Sequence, residues 1–166
     1  MGAAAAQQFV QRGSHKISAL ILSGSAARKP NAEIKPYNDA FEPKRTEYDW
    51  LSRDEAEVDK YIADPLCGFE GQELRNGFDR TDTRRVDPEL IKNIRNDLPV
   101  LLVAGDMDPV NNKLQNLFYL EALWGAAGIR DIDRQYYPEG RHEMLNETNR
   151  DEVTKGILRW ANSQIR

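Results

Sequence analysis

The chain has 166 residues, 40% hydrophobic and 30% charged, enough for one domain with a core and a well-solvated surface. Its formal net charge of -4 argues against a nucleic-acid partner, which would need a clustered excess of Lys and Arg. A single cysteine, Cys67, excludes an internal disulfide framework or a cysteine-based metal cluster, and no run reaches the roughly 18 apolar residues of a bilayer span.

The opening residues have no basic stretch followed by a long apolar one, so they do not read as an export signal. With one cysteine, this predicts a reducing, cytoplasmic setting, with contact at a membrane surface as a further option. Met1-Gly2 could begin a myristoylation motif, but Ala6 stands where that motif needs Ser or Thr.

Gly2 to Arg12 reads as a helix whose small residues, Ala3 to Ala6, let it lie close against a sheet. Lys16 to Ser23 is a nearly continuous apolar run, as expected of a strand buried on both faces of a parallel sheet. From Ala27 to Asn96 the pattern breaks up, with prolines, charges and isolated aromatics. Asn31 to Pro43 reads as irregular or lightly helical. Ser52 to Glu55 matches a helix-opening box, predicting a helix to about Ala63 with Val58, Tyr61 and Ile62 on its apolar face. Asp87-Pro88 opens another helix, with Leu90, Ile91 and Ile94 inward.

The core pattern then resumes. Pro99 to Ala104 predicts a strand, and Lys113 to Ala127 a helix with Leu114, Leu117, Phe118, Leu120 and Leu123 apolar. A shorter strand falls within Ile129 to Tyr137. Thr148 to Asp151 opens a last helix that buries Val153, Ile157, Leu158 and Trp160. This order implies an α/β fold with a parallel sheet. It divides into residues 1–26 (helix and strand), 27–96 (a helical lid or cap insertion) and 97–166 (the C-terminal core).

Asp108 lies in Gly105-Asp106-Met107-Asp108-Pro109-Val110, directly after a buried strand, where α/β sheets place site residues. His142 lies one helix and one strand later, in Gly140-Arg141-His142-Glu143-Met144-Leu145-Asn146-Glu147. An acid followed by a histidine is the order in which one class of Ser-His-acid triad ends. Alone, Asp108 could be a turn former before Pro109, Asp106 could be the acid instead, and His142 could be a solvated loop histidine. The order of the two motifs favours Asp108 with His142, leaving Asp106 to shape the loop. No H-E-x-x-H accompanies His142, so metal binding is not expected, and Glu147 reads as a pin for the histidine loop or the last helix. Cys67 has no adjacent histidine and reads as a packed thiol.

None of Ser14, Ser18, Ser23, Ser25, Ser52 and Ser163 sits in a Gly-x-Ser-x-Gly turn. Met1-Gly2 instead reads as the tail of such a turn, which makes the chain the C-terminal part of a serine hydrolase cut just after its nucleophile. In the intact turn the backbone N–H of Met1 would supply half of an oxyanion hole, a task ill suited to a charged terminus. The aromatics of the insertion, including Trp50, Tyr61 and Phe69, read as either an acyl pocket under a lid or a small satellite core.

Leu22-Ser23-Gly24-Ser25, Tyr48 to Asp54 through Asp64-Pro65-Leu66-Cys67-Gly68-Phe69, Gly105 to Val110 and Gly140 to Glu147 together carry a resemblance. The chain resembles the α/β-hydrolase group of monoacylglycerol lipases and bacterial lysophospholipases, classed with serine aminopeptidase S33-like hydrolases. The resemblance implies that Asp108 and His142 are triad acid and base, and that Met1-Gly2 ends a Gly-His-Ser-Met-Gly turn. It implies hydrolysis of lysophospholipid, monoacylglycerol or small acyl esters through an acyl-enzyme, with no metal or organic cofactor. It also implies a missing N-terminal half, whose absence would leave a buried strand with a bare edge and favour self-association. The alternatives are a non-catalytic remnant that binds acyl lipids, and a split enzyme whose serine comes from a separate N-terminal fragment.

Overall fold

The computed structural model describes residues 2–27, 29, 36–67 and 87–164. Helix α1 (Gly2–Gly13) leads through a 3-10 turn (Ser14–Lys16) into strand β1 (Leu20–Ser23). A second 3-10 turn (Tyr37–Ala40), helix α2 (Glu55–Ala63) and one-turn helix α3 (Pro88–Ile91) follow. The core continues with β2 (Val100–Gly105), α4 (Gln115–Ala126), β3 (Ile132–Tyr137), a 3-10 turn (Met144–Asn146) and α5 (Arg150–Gln164).

The three strands form one parallel sheet in the order β1-β2-β3, with Leu22 opposite Leu102 and Val100 opposite Ile132. Strand β2 is central and buried along its whole length, which is why Val100 to Gly105 carries no polar residue. Its side chains alternate between two cores. Val100, Leu102 and Ala104 pack with Val10 of α1 and with Leu117, Leu120 and Trp124 of α4. Leu101 and Val103 pack with Met144 and with Val153 and Trp160 of α5. Helices therefore cover both faces of the sheet.

Several expected boundaries move, each for a local reason. The first strand begins at Leu20 rather than Lys16, because the Arg95 guanidinium takes the carbonyls of Ile17 (3.3 Å) and Ser18 (3.1 Å). Helix α2 is capped by Asp54, whose carboxylate accepts from the N–H groups of Ala56 and Glu57. Ser52 is drawn off instead, donating to the Asn146 carbonyl at 2.8 Å. Helix α4 starts two residues late, after a left-handed run at Asn112, Lys113 and Leu114. Helix α5 begins at Arg150, because Glu147 takes the Thr148 N–H at 3.0 Å. Phe118 and Leu158, expected inside, are about half exposed on α4 and α5. Asp87 caps α3 with Pro88 in its first turn, as the sequence reads. Among the described residues no helix is long and apolar enough to cross a membrane.

Candidate active site

The chain leaves β2 at Gly105 and turns at once, with the Asp108 N–H donating to the Gly105 carbonyl at 3.3 Å. This turn lies directly on the loop after β3. A Cβ at Gly105 would overlap the carbonyl carbon and oxygen of Gly140, so only glycine fits there. Met107 donates its N–H to the Gly140 carbonyl at 3.0 Å, and Asp106 donates to the Tyr137 carbonyl at 3.1 Å. The Asp106 carboxylate accepts from the Glu139 N–H at 2.7 Å. Asp106 thus joins the two loops, while Asp108 points elsewhere.

Asp108 is fully buried. Its Oδ1 accepts from the Val110 N–H at 2.8 Å, and its Oδ2 accepts from the Asn111 side-chain amide at 3.2 Å. The same Oδ2 lies 3.1 Å from Nδ1 of His142. A carboxylate already receiving two N–H donors stays an acceptor, so Nδ1 must be the protonated nitrogen of the ring. That leaves the lone pair on Nε2.

His142 is held from three further directions. Its backbone N–H donates to the Trp50 carbonyl at 3.4 Å, and Glu143 donates to Leu51 at 2.8 Å. The Trp50 ring stands against the imidazole at 5.2 Å between centroids, and Tyr37 stands against Trp50 at 4.9 Å. Gly24, just past β1, has φ +59 and faces the ring. A Cβ there would lie 2.9 Å from both Cε1 and the carbonyl oxygen of His142. The histidine loop is therefore seated on glycines that follow or end each of the three strands: Gly24, Gly105 and Gly140.

An ion pair between the buried Glu147 and the part-buried Arg53 fastens this loop to the 49–53 segment. Glu147 is fully buried, and its two oxygens accept four N–H groups. These are the Arg53 backbone (3.1 Å) and Nε (2.8 Å), the Arg141 backbone (2.9 Å) and the Thr148 backbone (3.0 Å). Glu147 so ties the histidine loop, the start of α5 and the 49–53 segment together. The Arg141 guanidinium donates to the carbonyls of Asp49 and Ser52 and lies over the Phe41 ring at 4.3 Å. Burial lowers its pKa from the usual arginine range, and Glu147 and Asp49 push back. Burial raises Asp49, but the Thr46 hydroxyl and the N–H groups of Arg45 and Thr46 more than offset it, so this carboxyl stays below its ordinary range.

Replacing Glu147 with glutamine would turn one acceptor of this cluster into a donor facing donors, and leave the part-buried Arg53 without its close counter-charge. We expect E147Q to lose about 3 kcal/mol of stability. The check is a lower urea midpoint with an unchanged slope.

The structure thus brings together Asp108, His142 and Trp50 of the residues expected to form the site. Tyr61 is half-buried on α2, with its ring 5.2 Å from that of Tyr48. Met1 and Phe69 lie outside the described residues. Burial first, then Asp64 and Glu143, push the Cys67 thiol above its ordinary range, which disfavours the thiolate a nucleophile needs. Among the described residues no group of three or more His, Cys, Asp or Glu side chains could hold a metal ion. Gly24, Asn111 and Arg53 were not singled out as site residues in the sequence. Gly24 stood in plain view in Leu22-Ser23-Gly24-Ser25, as a glycine closing a strand.

A parallel sheet covered on both faces, with an acid after its second strand bonded to a histidine after its third, defines part of an α/β-hydrolase fold. Over residues 1–149 the chain matches the family profile described as serine aminopeptidase, S33, and it belongs to that family. Solved structures of similar fold include a carboxyl esterase from Bacillus coagulans in complex with glycerol, 22% identical with a TM-score of 0.84. A monoacylglycerol lipase from Paleococcus ferrophilus is 19% identical (TM-score 0.69), and a meta-cleavage product hydrolase from Pseudomonas fluorescens is 17% identical (TM-score 0.66). These alignments cover 99%, 98% and 97% of this chain, but the chain spans only 62%, 65% and 61% of those proteins. No curated protein matches the chain.

Proposed function

We propose that Asp108 and His142 are the acid and base of a serine hydrolase acting on carboxylic esters, with a nucleophile that lies outside these 166 residues. The observation that carries this reading is the Nδ1 contact with a fully buried, doubly hydrogen-bonded carboxylate, which leaves Nε2 as the free base. No serine hydroxyl among the described residues is hydrogen-bonded to that imidazole. The esterase and lipase names among similar folds support the choice of ester substrates, whereas the family description, an aminopeptidase, names amide cleavage.

In this reading Nε2 takes the serine proton as the hydroxyl attacks the ester carbonyl, and Asp108 stabilises the imidazolium that forms. His142 then passes the proton to the leaving alcohol, giving the acyl-enzyme. Next it takes a proton from water, whose oxygen bonds to the acyl carbon. The returned proton releases the serine and the acid. Met1 would supply a backbone N–H to the oxyanion once it is an amide. Residues 27–96 would form the lid, with Trp50, Tyr61 and Phe69 lining the acyl pocket for a monoacylglycerol, a lysophospholipid or a small acyl ester.

The free edge of β1 supports a further strand beside it. Among the described residues β1 pairs only with β2, and Ile21 is 37% exposed there. The test is hydrolysis of p-nitrophenyl acyl esters and monoacylglycerols by the 166 residues alone, and by the product of the gene read from whatever coding sequence lies upstream. Turnover is expected only when that sequence supplies a Gly-x-Ser turn. His142-dependent turnover by the 166 residues alone would contradict the proposal. Binding of monoacyl lipids with no turnover in either form would favour the non-catalytic remnant.

A further inference from the structure

Asn111 is a fully buried polar side chain in the loop between Asp108 and α4, and every part of its amide is engaged. Its Nδ2 donates to Asp108 Oδ2 at 3.2 Å and to the Gly105 carbonyl at 3.3 Å. Its Oδ1 accepts from the Leu114 N–H at 2.7 Å. The next three residues, Asn112, Lys113 and Leu114, all have left-handed backbones, with φ of 52, 52 and 69. Such a run is costly for residues that carry a Cβ, and the Asn111 carbonyl oxygens hold it: Oδ1 takes Leu114, and the backbone oxygen takes the Asn116 N–H at 2.9 Å.

The oxygen that Asn111 touches is the one that faces Nδ1 of His142. We propose that Asn111 is a positioning residue for the acid–base pair: its amide donates to the imidazole-facing oxygen of Asp108, orients the carboxylate and limits the negative charge it offers His142. This rests on the acid and base reading of Asp108 and His142.

The two effects of losing Asn111 have opposite signs, which makes the inference testable. Without the amide donor, Asp108 Oδ2 carries more charge toward the ring, and His142 holds its proton more firmly. If Asn111 served only to brace the loop, its loss would loosen the Asp108–His142 contact, and the proton would be held less firmly. The other titratable and charged groups on elements packed against the histidine loop are Glu139, Arg141, Glu143 and Glu147 on it, Asp49, Arg53 and Cys67 from the segments before α3, Asp106 from the acid turn, and Arg150, Asp151 and Glu152 at the start of α5. None of these is altered by a change at Asn111.

The experiment is a pH titration of the His142 ring by NMR in the full chain, with the exposed His15 as internal reference, in the native protein, N111A and N111L. Both substitutions are neutral: N111A removes the donor and the acceptor for Leu114 without adding bulk, and N111L removes both links at similar volume. The expected result is a His142 midpoint raised by about one pH unit in both variants, with His15 unmoved. If N111L melts out, N111A carries the test. A His142 midpoint that is unchanged or lower in a folded variant would overturn the inference, and so would failure of both variants to fold, which would assign Asn111 to loop formation alone. A native His142 with its neutral-state proton on Nε2 would instead remove the acid–base reading itself, whatever the variants do.

Discussion

Replacing Asp108 with asparagine is expected to remove about 10⁴-fold of ester turnover from an assembly that contains the nucleophile, while the chain still folds. The reason is tautomeric. The substituted amide keeps the shape of the carboxylate, and its carbonyl oxygen can still accept the Val110 N–H that Oδ1 receives now. Its NH₂ then faces Nδ1 of His142, which must become the acceptor, and the ring proton moves to Nε2. A protonated Nε2 cannot take the proton of a serine. The imidazolium also loses its buried counter-charge. The expected loss corresponds to about 5.5 kcal/mol of transition-state stabilisation. Steady-state kinetics on a p-nitrophenyl ester would measure it; a loss under about tenfold would mean that Asp108 is not the acid.

Gly105→Ala is expected to have the largest effect on folding. The added methyl would fall on the Gly140 carbonyl, which is backbone and cannot swing aside. That carbonyl also accepts the Met107 N–H, so moving it costs a bond between the acid and histidine loops. Overpacking against backbone at a junction of this kind should cost about 4 kcal/mol, near the upper end for one substitution. Gly125→Ala is the matched control. Gly125 lies in the last turn of α4 with nothing within 4 Å of its would-be Cβ. There alanine should stabilise the chain by about 0.5–1 kcal/mol through helix propensity and a less free unfolded chain. Urea unfolding of both variants would separate a special site from a general intolerance of alanine.

Much of the sheet was legible because β2 is buried on both faces and its sequence has to be continuously apolar. The parallel order followed from helices lying between the strands. Asp108 and His142 were legible as a candidate pair because Asp108 closely follows the continuously apolar β2 and His142 lies one helix and one weaker strand later, so their order along the chain could be read.

What the sequence hid was of another kind. The late start of β1 depends on Arg95, which is 78 residues from the Ile17 carbonyl it captures. The cap of α2 moved to Asp54 because Ser52 bonds Asn146, 94 residues away. Local capping rules cannot weigh such distant competitors. Phe118 and Leu158 fit a helical stripe but lie half exposed, since periodicity marks a face and not what covers it. Glu147 read as a pin for the histidine loop or the last helix, but only the fold shows that its partner is Arg53 and that the pair fastens the 49–53 segment to the histidine loop.

The proposed chemistry turns on one proton. ¹H–¹⁵N NMR of the imidazole of His142, in the neutral state of the native chain and of D108N, locates it directly, and His15 is the only other histidine to assign. The expected result is a proton on Nδ1 and a bare Nε2 in the native chain, with the proton moved to Nε2 in D108N. The same Nε2-protonated ring in both would show that Asp108 does not set the state of His142, and would contradict the acid–base pair on which the proposed hydrolase rests.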